Sequence, residues 1–331
     1  MTDRTALTEI VTGLGMLGDD LRGPLPVRPG ELRNVDDVTW QALVEGWDDP
    51  TSAVLADRAF ANGRAFFHAL DGLRGRRPRQ VEWTGRQRSP GDEVAPIDLR
   101  VDHVYLISCK YLSKITVNAS PAHVFERLLT GGHGRRARDW FETVAPTEHR
   151  ALWRAACHHL AYADMDLDAL DHPARKAVAR QLSGGPWPAS LAPRYESLCA
   201  AVSQRSTERW RDSMAAQGTR AAESMLWRLL RIGSAPYFVL GSSDTDAVRL
   251  RVASPWDWRQ RYRFDGLRFE AVDGGQPAVR WTAAYREAGH RAEVAGHVEI
   301  RWSHGRFSGP PEAKVYLDTP FSEVPGYWPL V

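Results

Sequence analysis

The fold is decided by a stretch that reads VEWTG at residues 81–85 and PIDLRVDHVYLISCK at residues 96–110. Valine, isoleucine, leucine, tyrosine and tryptophan are frequent in both parts, and the turn-forming Ser89-Pro90-Gly91 lies between them. This composition predicts a small meander of three strands, which run from Gln80 to Thr84, from Pro96 to Val101 and from His103 to Lys110.

An acid and an amine are predicted to meet on one face of this meander. Side chains alternate along a strand, so Ser108 and Lys110 share a face, and Asp98 can approach them from the neighbouring strand. Only four of the 43 basic residues are lysines, and two of these are Lys110 and Lys114. Because nearly all other basic residues are arginines, this scarcity suggests that the function of these two positions requires a compact, titratable ammonium group.

Helices are predicted on both sides of the three strands. Apolar residues between Ala56 and Leu73 recur at alternating spacings of four and three, which predicts an amphipathic helix. Ser120 followed by Pro121 is a typical helix start. The order is therefore helix, three strands, helix.

The rest of the chain divides by its predicted secondary structure into a helical part and a strand-rich part. Residues 1–50 contain short helical pieces broken by glycine and proline, whereas residues 135–232 are mostly helical. After Pro236, strand-like stretches alternate with turns, which predicts an antiparallel β-rich domain. We expect four consecutive segments: an N-terminal helical segment (1–50), an α/β core (51–134), a helical module (135–232) and a β-rich recognition domain (233–331).

Composition limits the classes of function. No apolar run approaches the roughly 20 residues of a membrane span, and Met1 to Leu14 does not have the pattern of a secretory signal, so we expect a cytoplasmic protein that does not cross a membrane. The formal net charge is only +2, so a nucleic-acid surface must come from local clusters. Two such clusters contain Arg86 and Arg88, and Arg135 and Arg136.

Several other functional motifs are either absent or lack the flanking elements that they require. Gly13-x-Gly15-x-x-Gly18 has the spacing of a dinucleotide-binding turn, but Gly23-Pro24 would stop the helix that must follow it. None of the four lysines follows a glycine, so the phosphate-binding Gly-Lys-Ser/Thr element of ATPases is absent. Glu312-x-Lys314 spells a Glu-x-Lys element, but no aspartate-bearing strand precedes it.

The helix, the Asp98 strand, the strand that ends at Lys110 and the following helix resemble the core of the PD-(D/E)xK, or restriction-endonuclease-like, nuclease superfamily. The resemblance covers about residues 55–130. It implies a fold with a helix, a mixed sheet and a helix, in which Asp98 binds a metal, Lys110 is catalytic and the Cys109 carbonyl is a further metal ligand. It implies Mg²⁺ or Mn²⁺ as cofactor.

One position departs from the family pattern. Ser108 stands where these nucleases usually have glutamate or aspartate, so one carboxylate is missing. Glu82 or Glu93 could supply it, Ser108 could bind the metal through a water, or the site could be inactive.

The resemblance implies hydrolysis of DNA phosphodiester bonds, in a restriction or anti-phage defence role, with Lys114 and the four clustered arginines contacting phosphates. The alternative is a catalytically inactive, nuclease-like subunit that binds nucleic acid or assembles with other proteins in a defence complex. A second copy or another protein could be a partner in either case.

Overall fold

Two separate sheets organise the protein. The computed structural model describes residues 4–18, 27–47, 49–85, 96–111, 115–127, 139–162, 165–242 and 246–331. Within them the chain is mixed α/β, and it divides into two units. Unit 1 comprises Met1–Lys114, Arg231–Arg261 and Pro320–Val331, and unit 2 comprises Ile115–Leu230 and Tyr262–Thr319.

The described strands, in chain order, are β1 (Leu32–Arg33), β2 (Val81–Trp83), β3 (Leu99–Val101), β4 (Tyr105–Tyr111), β5 (Ile115–Ala119), β6 (Tyr237–Ser242), β7 (Ala247–Val252), β8 (Tyr262–Asp273), β9 (Pro277–Glu287), β10 (His290–Arg301), β11 (Glu312–Leu317) and β12 (Tyr327–Pro329). The described α-helices are α1 (Arg4–Gly15), α2 (Asp37–Trp47), α3 (Pro50–His68), α4 (Trp140–Val144), α5 (Pro146–His159), α6 (His172–Gln181), α7 (Ala192–Leu229) and α8 (Pro255–Arg261).

Unit 1 contains a mixed sheet of seven strands in the order β1-β2-β3-β4-β6-β7-β12. The meander expected around Asp98 is present, because β2, β3 and β4 pair antiparallel in sequence order. Its last strand also pairs in parallel with β6, which places Lys110 opposite Gly241. The parallel partner comes from more than a hundred residues further along the chain, so a long excursion separates the two strands.

Unit 2 contains a sheet of five strands in the order β5-β11-β10-β9-β8, and every pair in it is antiparallel. The prediction of antiparallel strands near the C-terminus is confirmed. The segment 233–331 nevertheless contributes to both sheets, since β6, β7 and β12 join the sheet of unit 1. The two units therefore do not coincide with the four consecutive segments expected from the sequence.

The helices expected between residues 135 and 232 are α4 to α7. The helix α7 is interrupted at Gly218, whose φ of 75° lies in the left-handed region that glycine tolerates. Aromatic side chains fill the core of unit 2, where the Phe125 ring centroid lies 4.5 Å from that of Trp210. Phe307 is buried against Trp153 and Trp302, so it belongs to this core. None of the described helices is both long and apolar enough to span a membrane.

Two glycines allow α1 and α3 to pack closely against each other in unit 1. A Cβ atom on Gly63 would overlap the Thr12 carbonyl oxygen, and one on Gly15 would overlap the Phe60 carbonyl oxygen. Gly15, one of the three glycines whose spacing matches a dinucleotide-binding turn, is thus a helix-packing contact. Apolar side chains of both helices, among them Ile10, Leu14 and Phe66, then cover one face of the sheet.

The crossing of α1 and α3 gives a stability prediction. In an ordinary helix interior, replacing glycine by alanine stabilises the fold by about 0.5–1 kcal/mol. We expect the opposite for Gly63→Ala, a loss of about 1–3 kcal/mol, because the methyl group would have to push two helix backbones apart. Denaturant unfolding followed by circular dichroism measures this change.

The matched control is Gly30→Ala, since among the described residues, apart from its two chain neighbours, no heavy atom lies within 4 Å of a Cβ built there. It should leave the free energy of unfolding equal or slightly higher. Stabilisation by Gly63→Ala would contradict the close helix crossing.

Candidate active site

Asp98 lies where β3 and β4 separate. The two strands pair from Val101–Tyr105 to Leu99–Ile107, and β4 then continues beside β6 as far as Tyr111. At the end of the shared ladder, the Asp98 carboxylate accepts the Cys109 backbone N–H at 2.6 Å. The carboxylate thus takes the place of a main-chain acceptor and holds the end of the hairpin.

Ser108 and Lys110 lie on the face of β4 that points away from α1 and α3. Ile107 belongs to the core beneath those helices, and Cys109 and Tyr111 pack against it, so the residues between them point to the other side. The Ser108 hydroxyl is fully buried and donates to Asp98 Oδ2 at 3.4 Å. Lys110 is half-buried. One carboxylate, one hydroxyl and one ammonium-bearing residue therefore share this part of the sheet.

Glu82, one of the two carboxylates expected to complete a metal site, is paired with basic side chains. The register pairs Glu82 with Arg100, and Glu82 Oε2 lies 3.1 Å from Arg100 Nε and 3.2 Å from His103 Nδ1. Glu93 lies outside the described residues. Where the chain is described, no group of three or more histidine, cysteine, aspartate or glutamate side chains is arranged to hold a metal ion.

The five residues expected to bind phosphate lie outside the described residues. They are Lys114, Arg86, Arg88, Arg135 and Arg136. Among the described arginines just upstream of β2, Arg76 and Arg77 are each paired with an acid. Arg76 lies 2.7 Å from Asp102 and Arg77 lies 2.9 Å from Glu31, so each balances a nearby carboxylate.

Glu9 is a buried acid near this site that the sequence patterns did not point to. It lies in α1 with 7% of its surface exposed, and its Oε2 accepts the Trp83 indole N–H at 2.6 Å. Burial raises the pKa of the Cys109 thiol well above its usual value, and the negative charges of Asp98 and Glu9 raise that pKa further. Both carboxylates thus act on the same thiol. A buried glutamate among Leu7, Ile10 and Val11 was the available signal.

A buried polar network supports β4 from the side of α1 and α3. The Tyr111 hydroxyl lies 2.6 Å from Thr12 Oγ1 and accepts from Asn62 Nδ2 at 3.3 Å. Asn62 also donates to the Gly241 carbonyl at 2.8 Å and accepts from Arg249 Nε at 2.9 Å. Because Gly241 is the register partner of Lys110, this network fixes the two strands at the lysine.

The second Glu-x-Lys element lies in unit 2, on one face of β11. Lys314 Nζ is 3.8 Å from Glu312 Oε2, and His304 Nε2 is 3.4 Å from the other oxygen of that carboxylate. The polar neighbour Ser303 is the main reason that the Glu312 pKa is lowered, and the positive charges of Lys314 and His304 lower that pKa further. These groups balance each other's charge within the sheet.

Comparison with protein-family models, with curated proteins and with solved structures finds no match to this chain.

The polar network gives a prediction about the framework of the site. Asn62→Ala should lower the free energy of unfolding by about 2–3 kcal/mol, because the Gly241 carbonyl and the Arg249 guanidinium would each lose a buried partner. Tyr111→Phe should cost about 1 kcal/mol, since it removes only the hydroxyl. Denaturant unfolding measures both losses.

Gln41→Ala is the control, because Gln41 is an exposed polar residue of a helix in the same unit. It should change the stability by less than about 0.5 kcal/mol. If Asn62→Ala changed stability no more than this control did, the network would have no structural role.

Proposed function

We propose that this protein is a divalent-metal-dependent nuclease that hydrolyses DNA phosphodiester bonds at the surface formed by Asp98, Ser108 and Lys110. The observation that carries the proposal is the position of Asp98. Its carboxylate sits at the point where β3 leaves β4, in contact with Ser108, and Lys110 follows two residues further on the same face of β4. The PD-(D/E)xK resemblance supplies the reaction type and the suggestion of a restriction or anti-phage role.

The donor set suits a partly hydrated hard cation. Mg²⁺ commonly binds through one or two carboxylates, with waters and substrate phosphates as its other ligands. Asp98 would hold the ion, with Ser108 or the Cys109 carbonyl as a further oxygen donor. When bound, Mg²⁺ or Mn²⁺ would polarise the scissile phosphate and make an attacking water more acidic.

Lys110 provides the positive charge in this proposal. Its ammonium group would stabilise the negative charge that develops on the phosphoryl oxygens in the transition state, and it could orient the attacking water. Partial burial strengthens such an interaction, because the surrounding dielectric constant is lower than that of bulk water.

A second carboxylate could come from two places. Glu82 would have to release Arg100 and His103. Glu93 is the other source. A catalyst in which Asp98 acts alone with substrate phosphates is also compatible with the donor set.

The alternative function is a catalytically inactive, nuclease-like subunit that binds nucleic acid or another protein. Two observations favour it. Ser108 contributes a hydroxyl where a metal site would gain a charge, and Glu82 is engaged by two basic side chains. Under this alternative the Asp98 hydrogen bonds only hold the end of the β3–β4 hairpin.

Cleavage of plasmid DNA in the presence of Mg²⁺ or Mn²⁺ tests the catalytic proposal. Lys110→Ala should reduce the cleavage rate at least about a hundredfold, because it removes charge stabilisation of the transition state. Asp98→Asn should have a similar effect while keeping an acceptor for the Cys109 N–H. Both variants should still bind DNA.

The controls are Lys176→Ala and Asp212→Asn, which alter exposed residues of the same types in unit 2. They should cleave at the wild-type rate. Salt-dependent DNA binding by the wild-type protein without products under either metal would favour the inactive subunit.

The source of the second carboxylate is tested by Glu82→Gln and Glu93→Gln. Each change keeps the side-chain size and removes a charge that could bind a cation. The variant that lowers the affinity for Mn²⁺, measured by calorimetry, identifies the ligand. Wild-type affinity in both variants would mean that neither glutamate binds the ion.

A further inference from the structure

An open groove on the surface of unit 2 is lined by positive and hydrogen-bonding side chains. Its volume is about 780 Å³, and the polar residues that line it are Arg154, His158, His159, Ser190 and Arg194. The first three belong to α5, Arg194 belongs to the first turn of α7, and Ser190 lies in the connection before α7. All five are exposed. None of the described residues that line the groove is a carboxylate.

The charge of this groove is not balanced from within the described chain. Other arginines of unit 2 are held by acids, as in the pairs Arg205 with Glu148 and Arg209 with Glu126, whose closest atoms are 3.0 and 2.6 Å apart. No described carboxylate lies within ion-pair distance of Arg154 or Arg194. Two guanidinium groups therefore face solvent in one depression.

Helix electrostatics do not explain the arginines. His158 and His159 lie in the last turn of α5, where positive groups are favoured by the helix dipole. Arg194 lies in the first turn of α7, where a cation is disfavoured, and Arg154 lies well inside α5. A ligand that carries negative charge gives these two residues a role.

The remaining groups fit hydrogen bonding to such a ligand. Ser190 Oγ lies 3.1 Å from His159 Nδ1, so the hydroxyl can hold the imidazole ring. When the hydroxyl donates to Nδ1, the ring proton is on Nε2 and is available to an acceptor in the groove. Arg150 extends the positive face by one further turn of α5, since it precedes Arg154 by four residues.

We propose that this groove binds the phosphodiester backbone of a nucleic acid, with Arg154 and Arg194 as the phosphate contacts and His158 and His159 as additional donors. Guanidinium groups suit phosphate because their N–H donors match two phosphate oxygens. Contacts of this kind position a strand without reading its sequence. The choice of a nucleic acid as the ligand rests on the proposed function, whereas the site itself lies in unit 2, outside the residues assigned to catalysis.

Binding of fluorescein-labelled DNA, measured by anisotropy in EDTA so that no cleavage occurs, tests the proposal. The double variant Arg154→Ala/Arg194→Ala should bind at least about tenfold more weakly, and the slope of log affinity against log salt should fall by about two, because the variant no longer neutralises two phosphates. The matched control is Arg180→Ala/Arg220→Ala, which removes the same charge from exposed positions of the same unit. It should change neither value by a comparable amount.

A second arm uses inorganic phosphate as a competitor against chloride at equal ionic strength. Phosphate should compete more strongly than chloride for the wild-type protein, and this difference should be lost in Arg154→Ala/Arg194→Ala, because the two guanidinium groups match phosphate oxygens. Equal competition by the two salts in the wild-type protein overturns the proposal, since it would show that DNA binding responds to ionic strength alone. The proposal is also overturned if the wild-type protein binds no DNA, or if the two double variants lose affinity equally.

The two proposals fail in different ways. A protein that cleaves DNA but keeps full affinity in Arg154→Ala/Arg194→Ala contradicts only the groove. A protein that binds through the groove but never cleaves contradicts only the nuclease.

Discussion

The arrangement of unit 1 depends on how β4 is held between two different partners. It pairs antiparallel with β3 for three residues and parallel with β6 for five, and the two ladders overlap only at Ile107. Beyond Ile107, β3 no longer pairs with β4, and the Asp98 carboxylate accepts the hydrogen bond from the Cys109 N–H instead. One side chain thus satisfies a backbone donor that would otherwise be left without its ladder partner, and this constraint gives Asp98 its place beside Ser108.

Support for β4 comes from polar groups buried under the sheet as well as from apolar packing. Asn62 connects α3 to the Gly241 carbonyl, to Tyr111 and to Arg249, and Thr12 brings α1 into the same network. Such networks rigidify a core when every member has a partner. The close crossing of α1 and α3 at Gly15 and Gly63 helps these side chains to reach the strand. Lys110 is therefore carried by a strand that is tied down on both of its edges and on one face.

The arginines of the unit 2 groove differ from those around β2 and β3 in how their charge is balanced. Around β2 and β3, arginines are neutralised by their own acids, as Arg76 is by Asp102 and Arg100 by Glu82. In unit 2, Arg154 and Arg194 stay exposed in a groove without described acidic neighbours. If both proposals hold, chemistry and backbone binding are carried by different units, and nucleic-acid affinity can be altered without altering the catalytic residues.

The sequence by itself determined the strands around Asp98, the helices between residues 135 and 232 and the later antiparallel strands, because alternation and helical periodicity act over a few neighbours. It also indicated that Asp98 and Lys110 belong to adjacent strands. Only the tertiary structure decided that β4 pairs with β6 and that β5 pairs with β11. It also decided that β6, β7 and β12 join the sheet of unit 1, whereas β8 to β11 belong to the sheet of unit 2. It also placed Glu9 close enough to act on Cys109 and tied Glu82 to Arg100. Pairing across a hundred residues depends on which apolar faces can be buried together, and no local pattern records that choice.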